Sequence, residues 1–394
     1  MSPDAPGPRA AAAHPGRRVR VLLIDDSVVI RRMLSDSLAL DPEIEVVGTA
    51  ANGALGLDKI ESLEPDVVVL DIEMPVLDGL GTLRELRRRN RRVPVIMFST
   101  LTERGARATI EALANGASDY VTKPANVGSV AESREAIRTE LLPRIHALGA
   151  PRTLLHRSSV SPGRAGGLNP AAPIRLAPAP AVTQQPKMLL IGSSTGGPEA
   201  LGRLLPTLPA GLPVPVLIAQ HMPPVFTTML AERLNRLSAL TVREASAGDV
   251  LAPGTVYLAP GDFHLEVRAE SKLRLTAGLS SAPPENFCRP SVDVLFRSAV
   301  QALGGALLAV MLTGMGTDGR EGSRLLVSAG GQVIAQDQAT SVVWGMPGAV
   351  TNAGLASEVL PLDAISAAVV RRLGRPAGSP SRLAPDPGAV VSAL

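Results

Sequence analysis

A chain of 394 residues exceeds one ordinary domain, and at roughly 150 residues each it predicts two domains plus connecting chain. Its 39 Lys and Arg against 36 Asp and Glu leave a formal net charge of +3, no footprint for nucleic acid, and its cores must be aliphatic because only 2% of residues are aromatic against 45% hydrophobic. The single Cys288 excludes a disulfide framework or a cysteine zinc cluster, five scattered histidines speak against a histidine metal site, and no apolar run of about 18 residues exists to enter a membrane.

Residues 1–18 are Ala/Pro/Arg-rich with no long apolar core and read as a disordered extension, not a secretory signal. From Val19 the chain alternates apolar runs with amphipathic ones. Strands are expected at Val19–Ile24, Ile44–Val47, Asp66–Leu70, Val93–Phe98 and Ser118–Val121, with helices including Val28–Leu40, Leu80–Arg89 and Arg104–Ala114. Continuously apolar strands separated by helices imply a parallel sheet covered on both faces, hence a five-stranded doubly wound α/β domain over residues 19–142. Composition then shifts. From Arg144 to Lys187 there is no acidic residue and six basic ones, with six prolines between Pro162 and Pro186, so residues 143–186 read as an extended linker rather than a docking arm.

A second α/β domain is expected over residues 187–374. Its strands are Met188–Gly192, Val214–Ala219 and Ala306–Thr313, and its helices Gly197–Leu205, Val225–Leu237 and Gly319–Val327. Gly254–Leu258 and Phe263–Leu275 read as antiparallel pieces, which makes the sheet mixed but mostly parallel. Residues 375–394 read as a flexible tail.

In parallel sheets functional groups gather at the carboxyl ends of strands. In the first domain those ends carry Asp25-Asp26, Asp71, Ser99 and Lys123. Three carboxylates at one edge repel one another and call for a cation, and all-oxygen ligation suits magnesium. An aspartate beside magnesium and a lysine is a suitable phosphoryl acceptor, and the Ser99 hydroxyl can bond a phosphoryl oxygen. Against this, Asp25-Asp26 could be a helix cap and Lys123-Pro124 a turn.

In the second domain, Gly192-Ser193-Ser194-Thr195-Gly196-Gly197 turns from strand to helix. It lacks the phosphate-binding G-x-G-x-x-G and Gly-Lys-Ser/Thr patterns but spells G-x-S-x-G around Ser194, the form of a nucleophile elbow. Two other expected strands run into His221 and Asp318. A serine, a base of near-neutral pKa and a carboxylate are thus expected at one sheet edge, as a hydrolytic triad requires. The order Ser, His, Asp disfavours the usual α/β-hydrolase fold. His264 could be the base instead, although it lies among the antiparallel pieces, and Cys288 reads as inert.

Residues 19 to about 142 resemble the flavodoxin-like receiver domain of response regulators. The resemblance rests on Leu23-Ile24-Asp25-Asp26-Ser27, on Val69-Leu70-Asp71-Ile72-Glu73-Met74-Pro75, and on Val121-Thr122-Lys123-Pro124. It implies phosphorylation of Asp71 by a histidine kinase and Mg2+ held by Asp26, Asp25, Asp71 and the Glu73 carbonyl, with Ser99 and Lys123 sensing the phosphoryl group. Residues 187 to about 374 resemble the methylesterase domain of the chemotaxis CheB family. The matching stretches include Ile191 to Ala200, Gln220-His221-Met222-Pro223, Arg289-Pro290-Ser291-Val292-Asp293 and Leu312 to Gly319. This implies Ser194 as nucleophile, His221 as base and then acid, Asp318 as its orienter, and no cofactor for the esterase. It further implies a phosphorylation-activated serine hydrolase of the cytoplasm that demethylates glutamate methyl esters and deamidates glutamines. Its partners would be methyl-accepting chemoreceptors as substrate and a kinase of the CheA type as phosphodonor. The long basic linker and the N-terminal extension depart from the family pattern.

Overall fold

In a computed structural model, which describes residues 17–123, 134–135, 137–149, 176–177, 184–271 and 274–374, the chain forms two compact units. The tail, the N-terminal extension up to residue 16 and most of the expected linker lie outside the described residues.

Five strands make the first unit: β1 Val19–Ile24, β2 Ile44–Ala50, β3 Val67–Asp71, β4 Val95–Ser99 and β5 Asp119–Thr122. Their order is β2-β1-β3-β4-β5 and every pairing is parallel. β3 and β4 are buried along their whole length, as their unbroken Val/Ile/Leu runs require of a strand covered on both faces. The chain order reverses between β1 and β3, so their carboxyl ends open onto the crevice where doubly wound sheets bind ligands.

The helices between these strands start on short polar side chains. Ser27, Asn52, Asp78 and Thr102 each accept a bond from a backbone N–H of the first turn, which fixes where the helices Val28–Leu38, Gly53–Leu63, Gly79–Arg88 and Glu103–Ala114 begin. Composition set the domain boundary at residue 142, yet the helix Leu142–Gly149 carries the ordered chain onward and buries Ile145 and Leu148. The i, i+3 spacing of those apolar residues with Leu142 decides the matter, not the loss of acidic ones.

The second unit is built on β6 Met188–Ser193, β7 Val216–Gln220, β8 Thr241–Glu244, β9 Thr255–Leu258, β12 Leu307–Met311, β13 Gln332–Gln336 and β14 Glu358–Leu360. They lie in the order β14-β13-β12-β6-β7-β9-β8, again with parallel pairings throughout. The expectation of a mixed sheet is therefore corrected. Residues 255–258 pair parallel with β7 and β8: the helix Phe226–Leu237 crosses from β7 to β8, and residues 245–254 lead back so that β9 lies between the two. Among the described strands, antiparallel pairing is confined to a separate hairpin, β10 His264–Ser271 with β11 Arg274–Ser280, on which the helix Val292–Leu303 packs. Leu295, Phe296 and Ala299 of that helix join Leu190, Leu217 and Ala309 of the central strands in one aliphatic core. No helix among the described residues is long and apolar enough to cross a membrane.

Candidate functional site

At the carboxyl edge of the first sheet, the oxygens of Asp25, Asp26 and Asp71 lie within 4.8 Å of one another. Asp25 and Asp71 are buried and Asp26 is exposed. Lys123 Nζ stands between the buried pair, 2.9 Å from Asp25 Oδ2 and 2.8 Å from Asp71 Oδ1, and 5.7 Å from the centre of the Phe98 ring. The capping role belongs to Ser27, with Asp25 Oδ1 only accepting from the Ser27 N–H at 2.9 Å. Burial pushes the Asp71 carboxyl above its ordinary value; Lys123 works against this and the Asp25 charge adds to it. One ammonium facing three carboxylates leaves the cluster short of positive charge, and a hard divalent cation of the magnesium class fits that donor set. Ser99 is buried at the end of β4 beside this edge, and Glu73 is exposed two residues beyond Asp71.

The second site forms where β7, β6 and β12 end side by side, with Ser193 paired to Gln220 and Met311 to Gly192. The turn Ser194–Gly196 leads straight into the helix Gly197–Leu204, whose N-cap Gly196 is left-handed, with φ of 76°. A side chain on Gly196 would also meet Val342 at 2.6 Å, so the turn needs glycine on both counts. Ser194 is partly exposed, and its hydroxyl makes no hydrogen bond among the described residues. Its backbone is well held: its N–H donates to the Thr313 carbonyl at 3.1 Å and its carbonyl accepts from Gly197 N at 2.7 Å.

Gln220, fully buried at the end of β7, joins the two loops. Its Nε2 donates to the Ser194 carbonyl at 3.0 Å and to the His221 carbonyl at 3.2 Å, while Oε1 accepts from Ser193 Oγ at 2.6 Å. A Cβ on Gly197 would run into that Oε1. Gly197→Ala should therefore unfold more easily by about 1–3 kcal/mol, as an overpacked buried site does, which urea titration against wild type measures.

His221 Nε2 lies 2.8 Å from Asp318 Oδ2, and Nδ1 lies 3.4 Å from the sulfur of Cys288. Asp318 is 2% exposed and surrounded by donors. Oδ1 accepts from Ser291 Oγ, Asn286 Nδ2 and the N–H groups of Asp293 and Gly319, and Oδ2 accepts from the Val292 N–H at 2.6 Å as well as from His221. Two of those donors are the first N–H groups of the helix Val292–Leu303, so the carboxylate sits on a helix N-terminus. Burial opposes ionisation here, but the imidazole and these N–H groups prevail and hold the carboxyl well below the usual range. Burial likewise works against a charged His221, yet Asp318 and Cys288 outweigh it, and the ring is pushed up to about 10. Asp293 shares Asn286 with Asp318, and burial with the Asp318 charge raises it to about 6 against the Gly322 N–H.

His264, the alternative base, is engaged at both ring nitrogens. His264 is 1% exposed, its Nδ1 accepts from the Ser291 N–H and its Nε2 faces the Pro283 carbonyl at 3.1 Å, so both nitrogens are used structurally. Cys288, which has no histidine near it in sequence, meets His221 across 67 positions of chain. Asn286, Ser291 and Gln220 were not singled out as site residues, because a loop that supplies donors to a distant carboxylate carries no periodicity.

Comparison with known proteins agrees with this division. The CheB methylesterase family model matches residues 189–369, and the response regulator receiver domain model matches residues 21–134. A protein-glutamate methylesterase/protein-glutamine glutaminase from Nocardioides sp. is 56% identical over 91% of this chain and 96% of its own length. One of the same name from Trichodesmium erythraeum is 45% identical over 91% of this chain and 99% of its own. The crystal structure of the Thermotoga maritima CheB methylesterase catalytic domain is 44% identical, with a TM-score of 0.46, over 47% of this chain and 97% of that one. The chain belongs to the protein-glutamate methylesterase/protein-glutamine glutaminase family, with a receiver domain ahead of its CheB methylesterase domain.

Proposed function

We propose that this chain hydrolyses γ-glutamyl methyl esters and deamidates glutamines on chemoreceptors, that Ser194, His221 and Asp318 carry the chemistry, and that phosphorylation of Asp71 raises turnover. The observation that carries the reading is the His221 imidazole held by a buried, six-donor carboxylate at the strand end next to the Ser194 turn.

With Nε2 engaged by Asp318, Nδ1 is the nitrogen left to take a proton. Ser194 Oγ attacks the ester carbonyl while His221 accepts its proton at Nδ1, and backbone N–H groups of the Gly192–Gly197 turn receive the developing oxyanion. Collapse of the tetrahedral adduct breaks the C–O bond to methoxide, which leaves as methanol with the His221 proton. Water then attacks the acyl carbon while giving a proton to His221, and the bond from that carbon to Ser194 Oγ breaks as His221 passes the proton to Oγ, releasing glutamate and restoring Ser194. With a glutamine side chain the same sequence expels ammonia. Asp318 stays ionised throughout and supplies orientation and charge.

In the receiver domain, Asp71 is the phosphoryl acceptor, Lys123 pairs with the new charge, and Ser99 offers its hydroxyl. Asp25, Asp26, Asp71 and the Glu73 carbonyl would hold a Mg2+, which would supply positive charge against the carboxylates and the phosphoryl oxygens. The phosphodonor in this reading is a histidine kinase of the CheA type. Activation is a population shift toward the active state of the esterase.

The test is methanol release from methylated receptor fragments, with and without acetyl phosphate and Mg2+, for wild type and Asp71→Ala. Stimulation several-fold or greater in wild type and none in Asp71→Ala is expected. Equal stimulation of both proteins would remove Asp71 from the role.

A further inference from the structure

We infer that Phe287 is a docking residue for the protein substrate: its side chain, held out in water beside His221 and Asp318, seats an apolar side chain of the receptor segment that carries the glutamyl ester. The inference rests on the esterase reading above and adds to it a residue that selects the substrate.

The chain is sparing with aromatic residues, and three of its five phenylalanines, Phe98, Phe226 and Phe296, are fully buried. Phe287 is fully exposed. Its backbone is unusual as well. Glu285 and Cys288 exchange both backbone hydrogen bonds, the Cys288 N–H donating to the Glu285 carbonyl at 3.0 Å and the Glu285 N–H to the Cys288 carbonyl at 3.1 Å. Asn286 and Phe287 are therefore the central pair of a two-residue hairpin turn, and both have positive φ, 53° and 63°. That is the type I′ class, whose preferred central pair is Asn-Gly. Asn286 obeys the preference and Phe287 breaks it. A bulky side chain on left-handed backbone is strained, and this one recovers nothing by packing inside the fold. Such strain is kept where a contact outside the fold repays it.

What the turn is tied to identifies the occupant. Asn286 Nδ2 donates to Asp318 Oδ1 at 2.9 Å, and Cys288 Sγ lies 3.4 Å from His221 Nδ1. The residues on either side of Phe287 thus touch two members of the triad. His221 takes the Ser194 proton at that same Nδ1, so a polypeptide whose ester is under attack lies against this edge of the ring, and its flanking side chains meet the Phe287 turn. The approach to the turn is fixed too: His264 Nε2 faces the Pro283 carbonyl at 3.1 Å, and Arg289 donates to the Ser281 and Ala282 carbonyls. An aromatic ring presented on so rigid a turn loses little entropy on contact. Glu285, the one charged residue of the turn, is already paired with Arg297 at 2.7 Å. The contact on offer is therefore apolar, and it suits an aliphatic side chain beside the ester.

Methylated receptor fragments test this on the full-length protein, with acetyl phosphate and Mg2+ present. For methanol release, Phe287→Gly should raise KM about tenfold or more and move kcat by less than about twofold, because the ring contributes binding and not chemistry. Phe287→Tyr keeps the ring and should stay within about threefold of the wild-type KM. The glycine variant restores the residue the turn prefers, so its urea midpoint should be no lower than that of wild type. Affinity measured without turnover should give the same contrast. Ser194→Ala should bind the fragment about tenfold more tightly than Ser194→Ala with Phe287→Gly, at low and high salt alike, since apolar contact is not screened. The same KM and affinity with and without the ring would overturn the inference and leave the esterase reading standing. A fall in kcat with KM unchanged would also overturn it, making Phe287 a prop for the Asn286 and Cys288 contacts. Wild type that releases no methanol from any methylated fragment would overturn the esterase reading, while the binding comparison would still report whether Phe287 seats the receptor.

Discussion

Ser194→Ala is expected to lower kcat for methanol release by about a millionfold, to the level left by binding and oxyanion contacts alone, with KM for the receptor fragment little changed. The size of the loss follows from what the site offers. Two neighbouring hydroxyls are engaged elsewhere: Ser193 is fully buried on Gln220, and Thr313 is bonded to the Thr195 and Val343 carbonyls. The variant should also fold like wild type, since the serine hydroxyl holds nothing in place and the turn is fixed by backbone bonds to Thr313 and Gly197. Matching urea midpoints would establish this. Cys288 makes the experiment sharper, because its sulfur, a second potential nucleophile, lies 3.4 Å from His221 Nδ1. If Ser194→Ala kept appreciable turnover and Ser194→Ala with Cys288→Ala lost it, the sulfur rather than the hydroxyl would be the nucleophile.

The strand ends were legible because burial on both faces leaves an unmistakable mark. Val67–Leu70 and Leu189–Ile191 are apolar without interruption, so the first polar residue after each run marks the sheet edge. Asp71 and Ser193-Ser194 fall there, and the same logic located His221 beyond Gln220 and Asp318 beyond β12. Three strands went unread for the opposite reason. β8 and β14 are edge strands of four and three residues with half-exposed faces, and β13, Gln332–Gln336, is bounded by glutamines that mask a buried centre. Residues 255–258 were assigned the wrong direction because pairing sense depends on the crossover, not on the strand's own composition.

The surroundings of the site were less legible than its positions. Ser291, Asn286 and the N–H groups of Val292 and Asp293 reach Asp318 across 25 to 32 positions of chain. Sequence spacing carries no trace of such contacts, which depend on how the helix Val292–Leu303 lies across the end of β12. In the receiver domain the opposite holds. The partners of Lys123 are the residues that the strand-end rule had already assembled, Asp25 and Asp71, and only the distances were missing.

Asp318→Asn is expected to cost kcat about ten-thousandfold, with two further signs that separate orientation from mere loss of folding. Both carboxylate oxygens accept and neither donates: Oδ1 takes four donors, and Oδ2 takes Val292 N and His221 Nε2. An amide NH2 must occupy one of these positions. At the Oδ2 position it leaves the Val292 N–H without an acceptor and obliges His221 Nε2 to accept. The ring proton then moves to Nδ1, where it blocks transfer from Ser194. At the Oδ1 position it faces four donors, which is worse. The amide therefore settles toward His221, and the buried unpaired N–H costs about 1–3 kcal/mol of stability in urea titration. Loss of the negative charge also removes the contact that keeps the ring protonated, so the His221 titration should fall to lower pH even as the rate collapses. Unfolding alone would lower activity in proportion to the unfolded fraction and leave the folded fraction at full kcat. A drop of four orders in fully folded protein, with the ring titrating earlier, requires that Asp318 set the tautomer. Full kcat in folded Asp318→Asn would reduce the carboxylate to a tie for the helix Val292–Leu303.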